Sequence, residues 1–108
     1  MFKKKKNNVP DEEQRLRLPR RDELEMFGII TQMLGADQVR VMAEDGQERS
    51  CRIPGKLRKR VWLRENDIVI IKLWDFQKEK ADVVWRYLGF QVAQLKRRGL
   101  IDKLPLQE

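Results

Sequence analysis

The sequence predicts an all-β fold: a barrel of five short strands, with a short helix between the third and fourth strands and a second helix after the fifth. Five apolar or alternating segments have strand length and are bounded by turn-forming residues. They cover residues 26–34, 38–43, 47–53, 68–73 and 81–88. A length of 108 residues is that of one domain, and the longest apolar run, 68–71, is far too short to span a membrane.

The first three strands are predicted from alternation and turn chemistry. Gly28 lies inside the first strand, where a bend or bulge costs least. The residues Glu44-Asp45-Gly46 are typical of a hairpin turn between the second and third strands. In the third strand Cys51 alternates inward with Ile53, which favours a small buried hydrophobe over a reactive thiol.

The two helices are predicted from 3.6-residue spacing. In the segment 56–63, Leu57 and Val61 are four residues apart and share one face. Residues 90–98 form the second helix, which Gly99 is placed to end. A helix between the third and fourth of five strands is the order of a closed antiparallel barrel of the oligonucleotide-binding (OB) type. Closure also removes exposed strand edges.

The chain is expected to have three parts. Residues 1–22 contain eight bases, four acids and two prolines, with too little apolar surface to offset the cost of ordering. They are expected to form a mobile basic arm, in which residues 16–21 order against the domain or a partner. The barrel is expected over 23–88, and a helix with a short tail over 89–108.

Composition excludes most enzyme classes. The chain has no histidine and one cysteine, so it has no serine triad, Cys–His dyad, common zinc site or internal disulfide framework. Its carboxylates lie near turns, and no metal or cofactor is expected. The lysine-rich start has no following apolar stretch, so no secretory signal is expected. The prediction is a basic, cytoplasmic binding protein of net charge +7 and not an enzyme.

The segment 56–64 is the sharpest functional feature, because it contains five bases and no acid. Such a run is either a solvated face or a phosphate-binding surface, and a cationic barrel favours the latter. Trp62, within it, is equally suited to core or surface. Trp85 and Phe27 are expected in the core. The lysines of 3–6 fit a phosphate-binding arm, an address signal or a solubility tail.

Several blocks of the sequence resemble one family. The stretch Arg52-Ile53-Pro54-Gly55-Lys56-Leu57-Arg58-Lys59-Arg60-Val61-Trp62, with Met33-Leu34-Gly35 before it, resembles the translation initiation factor 1A family. The blocks Trp74-Asp75-Phe76-Gln77 and Lys80-Ala81-Asp82-Val83-Val84-Trp85-Arg86-Tyr87 continue the likeness. It spans about 17–99. The short C-terminal end and the Arg-Ile-Pro-Gly form are similar to the archaeal branch, so the partners of the eukaryotic acidic tail are not expected.

The resemblance implies an OB barrel that binds ribosomal RNA at the aminoacyl-tRNA site of the small ribosomal subunit. There it would act with other initiation factors in initiator tRNA placement and start-site selection. The resemblance assigns RNA binding to Lys56, Lys59 and Arg60, with Trp62 beside them. Charge and spacing add Arg58 and Arg64, and Arg40 on the second strand is a further candidate. The expected arm contacts are Lys3, Lys4, Lys5 and Lys6.

Two points remain open. Relatives often have a base where this chain has Gln38, which puts one RNA contact in question. Two other functions also fit: a general single-strand RNA-binding protein or RNA chaperone, and an adaptor whose basic face meets an acidic protein. A monomer is expected, because the family resemblance implies it and the sequence has no large apolar stripe.

Overall fold

Five strands form a closed barrel in a computed structural model, which describes residues 16–35, 37–59 and 62–105. The strands are β1 (Glu25–Met33), β2 (Gln38–Ala43), β3 (Glu48–Arg52), β4 (Ile68–Leu73) and β5 (Lys80–Arg86). The helices are α1 (Gly55–Arg58) and α2 (Gly89–Arg97), and a 3-10 turn, Arg21–Glu23, precedes β1. The predicted barrel with its two helices is confirmed.

The strands close in the order β1-β2-β3-β5-β4, the topology of an OB barrel. The pairs are antiparallel except β3–β5, which are parallel from Ser50 opposite Lys80 to Arg52 opposite Asp82. Parallel neighbours require a long crossover connection. Here the chain from α1 through β4 supplies it, so α1 lies at the end of the barrel where β3 stops.

Gly28 has a different role from the predicted bulge. The register shift in the β1–β2 pair lies between Ile30 and Gln32, not at Gly28. A Cβ atom at Gly28 would instead lie well inside van der Waals distance of the Val41 side chain on β2. The glycine therefore permits close packing of two strands, one of the recognised uses of glycine within a sheet.

Strand β4 is apolar on both faces because it separates two cores. Val69, Ile71 and Leu73 pack inside the barrel. Ile68 and Ile70 pack outside it, against α2 and the segment that follows. The outer core is completed by Phe27, Ile29, Tyr87, Leu95, Ile101 and Leu104. Among the described helices, none is long and apolar enough to cross a membrane.

The β2–β3 turn is held by a buried arginine. Gly46 has φ +87°, a conformation glycine adopts without strain, and its N–H donates to the Ala43 carbonyl at 3.0 Å. Arg49 is buried and donates to both carboxylate oxygens of Asp45, at 3.1 and 2.8 Å. This bonding lowers the pKa of Asp45. The Nε of Arg49 donates to the Lys78 carbonyl at 2.7 Å, so the arginine side chain joins the β2–β3 turn to the β4–β5 loop.

Gly99 terminates helix α2 as predicted, two positions after the last helical residue, Arg97. The glycine has φ +68°, its N–H donates to the Lys96 carbonyl, and the N–H of Leu100 donates to the Leu95 carbonyl. These two bonds form a Schellman motif, which satisfies carbonyls at the helix end. Leu95 and the residues after the turn can then cover the outer core.

Residues 16–24 contact the barrel. Arg17 donates to Glu25 at 3.3 Å and to the Val84 carbonyl at 3.4 Å, and its guanidinium lies 5.4 Å from the centre of the Trp85 ring. The hydroxyl of Tyr87 donates to the Arg17 carbonyl. Residues 16–21, which were expected to order against the domain or a partner, thus have apolar and charged partners on β1 and β5. Residues 1–15 lie outside the described part.

Candidate nucleic-acid interface

The connection between β3 and β4, here called the basic linker (residues 54–66), is anchored by leucines. Leu63 is buried in the inner core, and Leu57 packs against the same core. These two side chains turn inward, and the four described bases of the linker, Lys56, Arg58, Lys59 and Arg64, are exposed. The predicted inward face of Leu57 is confirmed.

The bases of the basic linker are not neutralised within the described structure. Five arginines there form ion pairs with carboxylates: Arg17, Arg20, Arg21, Arg49 and Arg52. None of the four described linker bases is among them. Their charge is therefore available to a polyanion, which releases counterions when its phosphates are neutralised.

The linker helix is much shorter than the predicted segment 56–63. Helix α1 is one turn, closed by the Arg58 N–H donating to the Pro54 carbonyl at 2.9 Å and the Lys59 N–H to Gly55 at 3.1 Å. No side chain caps its N-terminus, and its first turn has no acid. A single turn of like-charged residues has little to offset the cost of helix nucleation.

Trp62 lies on the surface with 85% of its area exposed. Its carbonyl accepts a hydrogen bond at 3.2 Å from the Arg86 guanidinium of β5. The backbone is thus fixed while the indole faces solvent. The sequence left core and surface open for Trp62, and the structure places it on the surface. An exposed ring can stack on an unpaired base.

A groove of about 310 Å³ runs beside the linker and is lined by Pro54, Lys56, Leu57, Val83, Val84 and Trp85. Trp85 packs against the outer core but is only partly buried, so its predicted full burial is wrong, whereas Phe27 is buried as predicted. The cause is a register shift in the β4–β5 pair: Ile70 faces Trp85 but Ile71 faces Val83. Val84 is therefore the extra residue of a bulge, which breaks the alternation that predicted an inward Trp85.

Arg40 lies on the barrel wall and not with the basic linker. It is opposite Ser50 in β3, four residues before Pro54, which is about 13 Å along a strand. Its guanidinium donates to the Gln32 side chain at 3.3 Å. Gln38 lines a separate cavity of about 160 Å³, bounded also by Ser50, Cys51, Arg52, Trp74 and Lys80.

Family comparison decides how this surface is interpreted. The sequence model of the family described as "Translation initiation factor 1A / IF-1" matches residues 13–107. The chain belongs to this family. Translation initiation factor 1A of Archaeoglobus fulgidus is 54% identical over 87 residues, 81% of this chain and 90% of that protein. That of Methanopyrus kandleri is 54% identical over 89 residues, 82% of this chain and 78% of that protein.

A solved structure is also similar, the solution structure of a translation initiation factor from the Wolbachia endosymbiont strain TRS of Brugia malayi. It has a TM-score of 0.48 and 26% identity, and the match covers 60% of this chain and 78% of that chain. Membership of the initiation factor 1A family confirms the resemblance, the similar relatives from Archaeoglobus and Methanopyrus are archaeal proteins, and the family is not enzymatic.

The fold places three of the four residues that the resemblance assigned to RNA binding on the same surface. Lys56, Lys59 and Trp62 are exposed on one linker. Arg58 and Arg64, added from charge and spacing, lie on the same linker. Arg60 and the four arm lysines, Lys3 to Lys6, are outside the described residues. Within the described part, no three cysteine or carboxylate side chains converge as metal ligands.

Sequence reasoning missed the contacts that hold the interface in shape. Arg86 fixes the Trp62 carbonyl, and Arg17 covers Trp85. Both pairs are far apart in sequence. The only local signal was that Arg86 lies within the block Lys80 to Tyr87, which does not predict its partner, and Arg17 had no such signal.

Proposed function

We propose that this protein is a translation initiation factor that binds ribosomal RNA at the aminoacyl-tRNA site of the small ribosomal subunit. The observation that carries the proposal is the linker surface: Lys56, Arg58, Lys59 and Arg64 are exposed and unpaired within the described residues of a family member. Bound there, the factor supports initiator tRNA placement and start-site selection together with other initiation factors, in the cytoplasm.

The proposed mechanism is electrostatic and steric, with no chemical step. The linker bases neutralise phosphates, and Trp62 stacks on an unpaired base. Arg40 adds a contact from the barrel wall, and the lysines 3–6 add phosphate contacts from the arm. The closed barrel is a rigid body that occupies the aminoacyl-tRNA site and prevents tRNA from entering that site. One protein molecule per subunit, a monomer, is sufficient for this action.

Sedimentation with purified ribosomal subunits tests the proposal. The protein is expected to sediment with small subunits and not with large ones. If the four described linker bases all contact phosphate, they contribute about 3 to 4 to the slope of log K against log salt. Equal binding to both subunits, or a slope near zero, would exclude the proposal.

A general single-strand RNA-binding protein is the second candidate, and the exposure of Trp62 favours it. Stacking on an indole is tolerant of base identity. A competition assay separates the two functions. A site on the folded subunit predicts that a short unstructured oligoribonucleotide displaces the protein only at a concentration far above that of subunits. A general binder would be displaced at comparable nucleotide concentration.

A further inference from the structure

The β4–β5 loop, residues 74–79, contains an aromatic side chain that belongs to neither hydrophobic core. Phe76 is 100% exposed. Burying a phenylalanine side chain stabilises a domain, and this contribution is absent at Phe76. Exposed rings of this kind are enriched at interfaces, where they act as anchors.

The loop that carries Phe76 is built from internal hydrogen bonds. The Lys80 N–H donates to the Gln77 carbonyl and the Trp74 N–H to the Lys80 carbonyl, both at 3.0 Å. The Trp74 indole donates to Asp82 at 3.1 Å. The side chain of Arg49, on β3, donates to the Lys78 carbonyl. A loop held on both sides of Phe76 loses little further entropy when the ring is bound.

Phe76 lies away from the basic linker. The loop joins β5 at Lys80, whereas the groove beside the linker is formed by Val83, Val84 and Trp85. These residues are three to five positions further along β5, about 10–16 Å. The loop adjoins the β2–β3 turn instead, through Arg49 and Asp45. Phe76 and the basic linker therefore face different parts of any large partner.

The charges around Phe76 do not favour a phosphate. The loop contains Asp75 and Glu79 against the single base Lys78. Lys80 lies over the Trp74 ring, 5.7 Å from its centre. In the neighbouring turn the two acids, Glu44 and Asp45, are already paired with Arg21 and Arg49. Lys78 and Lys80 are exposed and form no ion pair within the described structure, but Asp75 and Glu79 balance them, so this end lacks the excess positive charge of the linker.

We propose that Phe76 anchors a protein–protein contact. The phenyl ring inserts into an apolar pocket of a protein partner whose rim is cationic, complementary to Asp75 and Glu79. The inference rests on the proposed function, because the partner is a protein bound on or in the small ribosomal subunit. A stacked RNA base is the competing occupant, and the following test separates the two.

Photo-crosslinking from two positions identifies the occupant. The variant Phe76→p-benzoylphenylalanine is bound to small subunits and irradiated, with Trp62→p-benzoylphenylalanine as the matched control. Position 76 is expected to yield an adduct with protein, and position 62 an adduct with ribosomal RNA. An adduct of position 76 with RNA alone, or none while position 62 reacts, overturns the inference and leaves the proposed function standing. Failure of both variants and the parent to sediment with subunits overturns both.

A truncation measures the strength of the contact. Phe76→Ala is expected to weaken subunit binding about 30-fold, the effect of losing an interface anchor. Gln77→Ala, on the same exposed loop, is the control and should bind like the parent. Because the lost contact is apolar, the ratio of affinities should stay constant across a salt series. An unchanged affinity, or a ratio that falls as salt rises, overturns the inference.

Discussion

Neutralising the basic linker is the most direct perturbation of the proposed interface. The variant Lys56→Gln/Arg58→Gln/Lys59→Gln removes three exposed positive charges and keeps polar side chains of similar length. None of the three forms an ion pair within the described structure. Surface changes of this kind alter the free energy of unfolding by no more than about 0.5 kcal/mol. The variant should therefore fold like the parent.

The loss of affinity follows from counterion release. Each phosphate contact contributes about 0.7–0.9 to the slope of log K against log salt. At a salt concentration of about 0.15 M this amounts to roughly 0.6–0.7 decades per contact, so three contacts give about 100-fold. At about 0.05 M the same contacts give about 1000-fold. The slope itself should become shallower by about 2 to 3.

The assay is co-sedimentation with small subunits at both salt concentrations, with thermal unfolding to verify the fold. A control variant, Lys72→Gln/Lys96→Gln/Lys103→Gln, lowers the net charge equally at exposed lysines outside the linker. It should retain most of the affinity. A folded linker variant that binds within about threefold of the parent, or a control that loses as much, refutes the reasoning.

Two further predictions concern single side chains. Trp62→Ala should leave stability unchanged, because the indole is exposed, and weaken subunit binding about 5- to 150-fold with an unchanged salt slope, as expected for a lost stacking contact; full affinity would exclude stacking. Burial raises the pKa of the Cys51 thiol to about 12 from 9.0. The folded state therefore keeps a proton that the unfolded state loses, so the free energy of unfolding should fall as pH rises from about 9 toward 12. Urea unfolding of Cys51→Ala should show a smaller fall, and an identical one would contradict a buried thiol.

The strands were predictable because each depends on local pattern. The alternation in β2, the Glu44-Asp45-Gly46 turn and the apolar run of β4 each constrain a short stretch of chain, and the structure has them where predicted. The parallel β3–β5 pair was not predictable in this way. Which strands become neighbours depends on closure of the whole barrel, and two strands whose paired residues are 30 positions apart carry no local sign of pairing.

The candidate site was predictable in composition but not in shape. The run of bases predicted a charged surface, and the exposure of Lys56 and Lys59 agrees with it. The partly exposed Trp85 was missed because the bulge at Val84 is set by the register with β4, a non-local property. Arg49 is two residues before the inward Cys51, so alternation gives its side of β3, but its hydrogen bonds to two loops depend on Asp45 and Lys78 being brought together.

Gly28 can be required for one of two reasons: its own backbone conformation, which is local, or the close approach of a neighbouring strand, which is not. The substitution Gly28→Ala would bring a Cβ atom into the side chain of Val41, which is fully buried in the inner core and has little room to move. Overpacking of this kind costs about 1–3 kcal/mol of stability, measured by urea unfolding. Gly89→Ala is the matched control: nothing lies near its Cβ position at the start of α2, so stability should be equal or slightly greater. Because the cost at residue 28 is a collision with one side chain, adding Val41→Ala should make the double variant more stable than the sum of the single changes predicts. Strict additivity would mean that the glycine is required for its backbone conformation, as a bulge would require, and not for the close approach of β2.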